Sequence, residues 1–306
     1  MLYKENIRNT RWSLPCLFNH IDVLRHYLIF TKTYDDYSSI IKNVYGSPVV
    51  SWNGGRMTTD KIDYQLFEDR VNEFNENGIS VNLTFNRYDI NENELNDPIC
   101  NKLLQLLQTF DKQNGVIISS ELLYNHITKN YSRLNLISSS IKVSYENGYN
   151  NIEYYNNLID RFDRVIIHPI DNFNDTILTN ISPDDIHKVE ILVNENCLIN
   201  CQNRNEHYTL MGNFFKSPHN TICERELDLF NKYKCKSITM EKQVLDNPQK
   251  IRNLNLTFNE YNRIYEYGIR NFKLQGRSDD KHQFLYDLCR YTLEPNFVAP
   301  LFTKTL

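Results

Sequence analysis

No apolar run in this sequence approaches the length of a membrane span. The start, Met1 to Arg11, is polar and charged and does not read as a secretory leader. A soluble, cytoplasmic protein without membrane contact is the expectation. Excess positive charge is also missing: the net charge is −4, so charge gives no indication of a nucleic-acid partner. Seven cysteines, an odd number unevenly spread, argue against a secreted disulfide framework. No G-x-G-x-x-G follows an apolar run, which leaves a doubly wound dinucleotide-binding sheet without support. G-x-S-x-G and H-E-x-x-H are absent too, so neither motif is there to carry peptide hydrolysis.

What is present is a repeating unit: an amphipathic helix, a glycine, then a short β-rich run. Tyr64, Phe67, Val71 and Phe74 recur at helical spacing, and Asn77-Gly78 follows as a helix cap. Ile79 to Phe85 is then a strand. Ile99, Leu103, Leu106 and Phe110 repeat the helix, with Asn114-Gly115 as cap and Val116–Ile118 as strand. Eight strands are expected near 13–18, 49–52, 79–85, 116–119, 134–138, 164–168, 189–193 and 271–275. Short apolar strands alternating with helices imply a parallel sheet, and eight such units imply an α/β fold of the (β/α)8 TIM-like barrel type.

One spacing is longer than the rest. More than seventy residues separate Val193 from Asn271, too many for a structureless loop. The expectation is one barrel domain over 1–306 with an inserted subregion at 194–268, between strands seven and eight. No Pro/Gly/Ser-rich linker sets it apart. It leaves from the C-terminal end of a strand, the end that carries active sites in such barrels.

The insertion holds Cys197, Cys201, Cys223 and Cys235, with His207 six residues past Cys201. Soft thiolates at close spacing suit zinc or an iron–sulfur cluster. A zinc ribbon favours two C-x2-C pairs, and there are none; the looser spacing fits an iron–sulfur cluster better. Buried unligated cysteine is the plain alternative, and Cys16, Cys100 and Cys289 are assigned to the scaffold.

The strand ends supply the remaining candidates. Asn53, Arg56, Asn86, Arg87 and Arg277 form a hydrogen-bond-rich set in which arginine forks suit an anion. A small anionic substrate follows, although loops are polar in any case. His168 ends an apolar run and is a candidate general base or a core histidine. Glu195 is an acid/base group or an ion-pair partner for Arg277. Lys273 lies inside the eighth strand and either faces the barrel, where burial lowers its pKa, or snorkels outward.

The stretch Gly268-Ile-Arg-Asn-Phe-Lys-Leu-Gln-Gly-Arg277 resembles a signature of the collagenase-like peptidase family, which includes oxygen-independent ubiquinone and tRNA hydroxylation proteins. The cysteine-bearing segment before it matches in position. The resemblance implies a TIM-like barrel and, as in several members, a [4Fe–4S] cluster. Cys197, Cys201 and Cys223 then become ligands, with Cys235 as the fourth. Three readings stand on this basis. The first is a barrel enzyme with an iron–sulfur cluster, doing redox or hydroxylation chemistry on a small anionic or nucleic-acid-derived substrate, with His168, Glu195 or Lys273 as catalytic groups. The second is a zinc-dependent or metal-free hydrolase, lyase or transferase, the peptidase-like reading included. The third is a non-catalytic subunit that binds a protein partner or paralogue.

Overall fold

The computed structural model describes residues 4–34, 37–54, 62–199, 201, 203–216, 253–276, 281–294, 298 and 301. Along the chain, α1 (Lys4–Arg8) leads into β1 (Arg11–Leu14), α2 (Ile21–Tyr34), β2 (Ile41–Gly46), α3 (Tyr64–Glu76) and β3 (Ser80–Phe85). Then come α4 (Pro98–Leu107), β4 (Gly115–Ile118), α5 (Glu121–Asn130), β5 (Asn135–Ser138), α6 (Ser140–Tyr145), α7 (Ile152–Arg161), β6 (Arg164–Ile166), α8 (Asp175–Thr179) and β7 (Val189–Leu192). After these lie β8 (Asn194–Leu198), α9 (Arg204–Lys216), β9 (Asn253–Asn255), α10 (Phe258–Glu266), β10 (Asn271–Lys273) and α11 (Lys281–Thr292).

Eight parallel strands close into a barrel. Strands β1 to β7 follow chain order, and β10 fills the gap between β7 and β1. The expected TIM-like barrel is therefore present, with β10 as its eighth strand. The cause is visible in the strand faces. Trp12, Leu14, Val81, Leu83, Val116, Ile118, Val165, Ile191 and Phe272 share one continuous apolar core with the surrounding helices. Trp12 packs against Phe272, Tyr261 and Tyr291 at centroid distances of 5.4–6.0 Å. Since side chains alternate along a strand, the intervening residues face inward. Tyr45, Ile117, Ile137 and Ile166 form a separate small cluster inside the barrel.

One turn nearer the strands' N-terminal ends, the interior is polar. Ser13 donates to Glu190 Oε1 at 2.5 Å, Asn43 donates to Ser13 at 3.2 Å, and Asn82 donates to Asn43 at 3.4 Å. Arg164 pairs with Glu190 at 3.4 Å. This layer explains a correction. The second strand is Ile41–Gly46, not the expected 49–52. Its inward Asn43 dilutes the apolar signal, while Val50 and Trp52 are buried by the loop that follows. Trp52 is held there through Nε1, which donates to Glu94 O at 2.8 Å.

Asn77-Gly78 does end α3, with Gly78 at φ +76°. Asn114-Gly115 is not a helix cap, because α4 stops at Leu107. Gly115 instead opens β4, where a Cβ would lie 2.8 Å from both Asn135 O and Asn82 Oδ1, so close strand approach requires glycine. Within the insertion, β8 and β9 form an antiparallel pair. A Thr257–Glu260 capping box then starts α10.

Among the described residues no helix is long and apolar enough to cross a membrane.

Candidate functional site

A cavity of about 130 Å³ lies at the C-terminal mouth of the barrel. Its floor is the inner layer: Tyr45, Ile117, Ile166, Leu192 and Lys273. Thr84 and Asn86 come from β3 and the residue just past it, and Gln275 from just beyond β10. The insertion closes the remaining side. From β8 come Glu195 and Cys197, and from α9 come Arg204, His207, Tyr208 and Met211. The α9 positions recur at three- and four-residue steps, so one helix face covers the mouth.

Cys197 and Cys201 are placed together by the turn after β8. Their thiols share a hydrogen bond, in which Cys201 is the donor and Cys197 the acceptor. That bond, with the adjacent Arg204 charge, brings the Cys197 pKa down to about 6, against the opposing effect of burial. Cys201, as donor, is pushed up. Cys197 thus has thiolate character at neutral pH.

Arg204 is buried and central. It donates to His168 Nε2 at 3.2 Å and to Leu198 O at 2.8 Å, and it hydrogen-bonds Cys197. Arginine has only donors, so His168 accepts with a neutral ring. Burial and the Arg204 charge lower its pKa to about 3. His168 does not line the cavity. Its Nε2 is turned to Arg204, which it holds in place.

Glu195 is buried, and its two oxygens are spoken for. Oε1 accepts from the Cys197 backbone N–H at 2.9 Å, and Oε2 accepts from Gln275 Nε2 at 3.2 Å. Asn194 braces the same corner by bonding both Gln275 N–H, at 2.6 Å, and Gln275 O, at 3.0 Å. Lys273 points inward. Its Nζ is buried with no hydrogen-bond partner and sits 3.0 Å from the centroid of the Tyr45 ring. Burial is the main cause that lowers its pKa to about 7; Arg164 adds to this and Glu190 opposes it.

Of the other expected residues, Asn86 lines the cavity and accepts from Gly54 N–H at 3.0 Å. Asn53 is fully buried and is not part of the lining. Arg87 is turned away: it bonds Ser51 O and Glu94 and pairs with Asp89 at 3.1 Å. It is an internal brace, not an anion fork. Arg56, Arg277, Cys223 and Cys235 lie outside the described residues. Cys16, Cys100 and Cys289 are buried, and burial raises each thiol. The strand-end reading missed Arg204, which arrives from the insertion helix. The recurrence Arg204, His207, Met211 just past Cys201 was its available signal.

No protein-family model matches the sequence, and no curated protein matches it. Among solved structures, that of the U32 peptidase Mk0906 matches with a TM-score of 0.51 at 14% identity, covering 88% of this chain and 93% of the other. This chain shares that protein's fold. At that identity the likeness speaks for fold alone. It agrees with the resemblance carried by Gly268–Arg277 to the collagenase-like peptidases. The barrel here also has the cysteine pair Cys197 and Cys201 in the segment between β7 and β10.

Proposed function

We propose that this U32-type barrel is an enzyme working on a small anionic substrate at the barrel mouth, with Cys197 and Cys201 as two ligands of an iron–sulfur cluster. The observation that carries the reading is the thiol pair beside Arg204, with Cys197 on the cavity wall. Adjacent soft donors, one already with thiolate character, suit iron or zinc. Among the described residues no three His, Cys, Asp or Glu side chains are grouped to hold a metal ion. Further ligands would have to come from elsewhere, and Cys223 and Cys235 are the candidates. When bound, such a cluster supplies electron transfer or Lewis acidity.

The chain's own residues do the rest. Arg204 has five donors, of which His168, Leu198 O and Cys197 engage three; the others serve a substrate anion. Gln275 and the Cys197 backbone fix the Glu195 carboxylate beside the cavity, where it can hold or release a proton. Tyr208 and Met211 exclude water from above. Peptide cleavage, the activity in the matched protein's name, is not part of this reading.

The test is iron, zinc and acid-labile sulfide content of protein purified without oxygen, for the wild type and Cys201→Ser. About four irons with matching sulfide per chain support the cluster, and the variant should lose most of both. One zinc per chain would replace redox chemistry with metal-activated water. Neither metal, or full iron retention in the variant, would overturn the ligand assignment.

A further inference from the structure

Lys273 is not accounted for by the cluster. Lysine in a barrel interior normally finds a carboxylate, because an unpaired buried ammonium is costly. The carboxylate whose charge reaches the amine, Glu190, has its Oε1 engaged by Ser13 and Arg164 and gives Lys273 no hydrogen bond. What faces the amine is the Tyr45 ring from β2 and the apolar floor of the cavity. The Tyr45 hydroxyl is directed elsewhere, to Leu274 O. The result is an amine held on a rigid strand, without a hydrogen bond, beneath a cavity that opens upward to Arg204.

We infer that Lys273 is a covalent nucleophile that forms an imine with a small carbonyl compound bearing a carboxylate, a 2-oxo acid being the simplest. The inference rests on reading the barrel mouth as a substrate site and is independent of the cluster. The Nζ lone pair adds to the carbonyl carbon. The carbonyl oxygen takes up protons from water in the cavity and departs as one water molecule, while nitrogen loses its protons. A C=N bond replaces the C=O bond, and no oxidant or reductant is consumed. Arg204 on the opposite wall takes the carboxylate. Burial supports the step, because an amine free of its proton near neutral pH is nucleophilic. The substrate class also fits the anionic preference expected at this mouth.

The experiment uses pyruvate as probe. Full-length protein, as purified, is incubated with pyruvate near neutral pH, reduced with borohydride, and digested for peptide mapping by mass spectrometry. The expected product is one N-carboxyethyl group per chain, on Lys273, absent without pyruvate. Lys273→Met keeps similar volume without the amine and should lose the adduct. The wild-type map alone decides the matter if that variant does not fold. No adduct, or adducts spread over surface lysines with Lys273 unmodified, would overturn the inference. Iron and sulfide, measured on the same preparation, report on the cluster separately. If iron is present without labelling, only this inference falls. If labelling occurs without iron, the cluster falls and the amine stands.

Discussion

Replacing Lys273 with methionine should stabilise the protein, by an amount that depends on pH. The folded amine titrates at about 7, against 10.5 for a free lysine. At pH 6 both the folded and unfolded chains hold the proton, and the folded state carries the whole cost of the buried charge. Between about pH 7 and 10 the unfolded chain binds a proton that the folded chain does not, so raising pH favours folding. The difference of roughly three and a half units corresponds to 4–5 kcal/mol at 1.36 kcal/mol per unit, of which about 4 kcal/mol is relieved between pH 6 and 10. Methionine has similar volume and suits the surrounding Tyr45, Ile166 and Leu192.

Urea unfolding of the wild type and Lys273→Met at pH 6 and pH 10 measures this. The variant should be the more stable at pH 6 by several kcal/mol, and the gap should close to within about 1 kcal/mol at pH 10. Taking the difference between the two proteins cancels the tyrosines and cysteines that also titrate in this range. A gap that is equal at both pH values would refute the reasoning, because it would mean that Lys273 titrates alike in the folded and unfolded chains. A variant less stable at pH 6 would show the ammonium to be well solvated or paired.

Two more predictions concern the scaffold. Arg87→Met leaves Glu94 without its buried partner and removes donors from Ser51 O and Asp89. It should cost about 2–4 kcal/mol in urea unfolding, while pyruvate labelling of the folded variant is retained; loss of labelling at unchanged stability would put Arg87 back among the substrate groups. Gly54→Ala would place a Cβ 2.9 Å from Arg87 Cα and 3.1 Å from Asn86 O. These contacts are backbone and cannot yield cheaply, so the variant should lose about 1–3 kcal/mol in the same assay; an unchanged midpoint would show that the loop after β2 moves freely.

The barrel was legible because the outward strand faces are apolar almost without exception. Val116-Ile117-Ile118 and Val189 to Val193 read as buried runs, and each proved to be a barrel strand. The second strand was not legible from apolarity, because its inward face serves a polar layer that only forms when Ser13, Asn43, Asn82 and Glu190 come together from four strands. Parity could have sorted the strand ends. Along β3, Asn82, Thr84 and Asn86 share the inward side, while Leu83, Phe85 and Arg87 share the other. Asn86 therefore meets the cavity and Arg87 does not. The same rule turns Lys273 inward, since Phe272 and Leu274 on either side join the outer core. Arg204 lay beyond such reasoning, because α9 crosses the mouth only through the tertiary placement of the insertion.

The arrangement inside the barrel separates two tasks along its axis. Toward the N-terminal ends of the strands, Glu190 Oε1 is engaged by Ser13 and Arg164, a paired buried charge that contributes to the unique packing of the interior. One step toward the mouth, Lys273 has the charge that would most readily pair with Glu190, yet its Nζ has no such bond. Arg164 has two effects here: it engages Glu190, and its own charge disfavours a second cation nearby. Lys273 is left under the cavity with its proton loosely held, burial being the main cause. The ion pair of β6 and β7, which does not line the cavity, acts on this amine only as a secondary influence through two opposing charges, Arg164 lowering its pKa and Glu190 raising it.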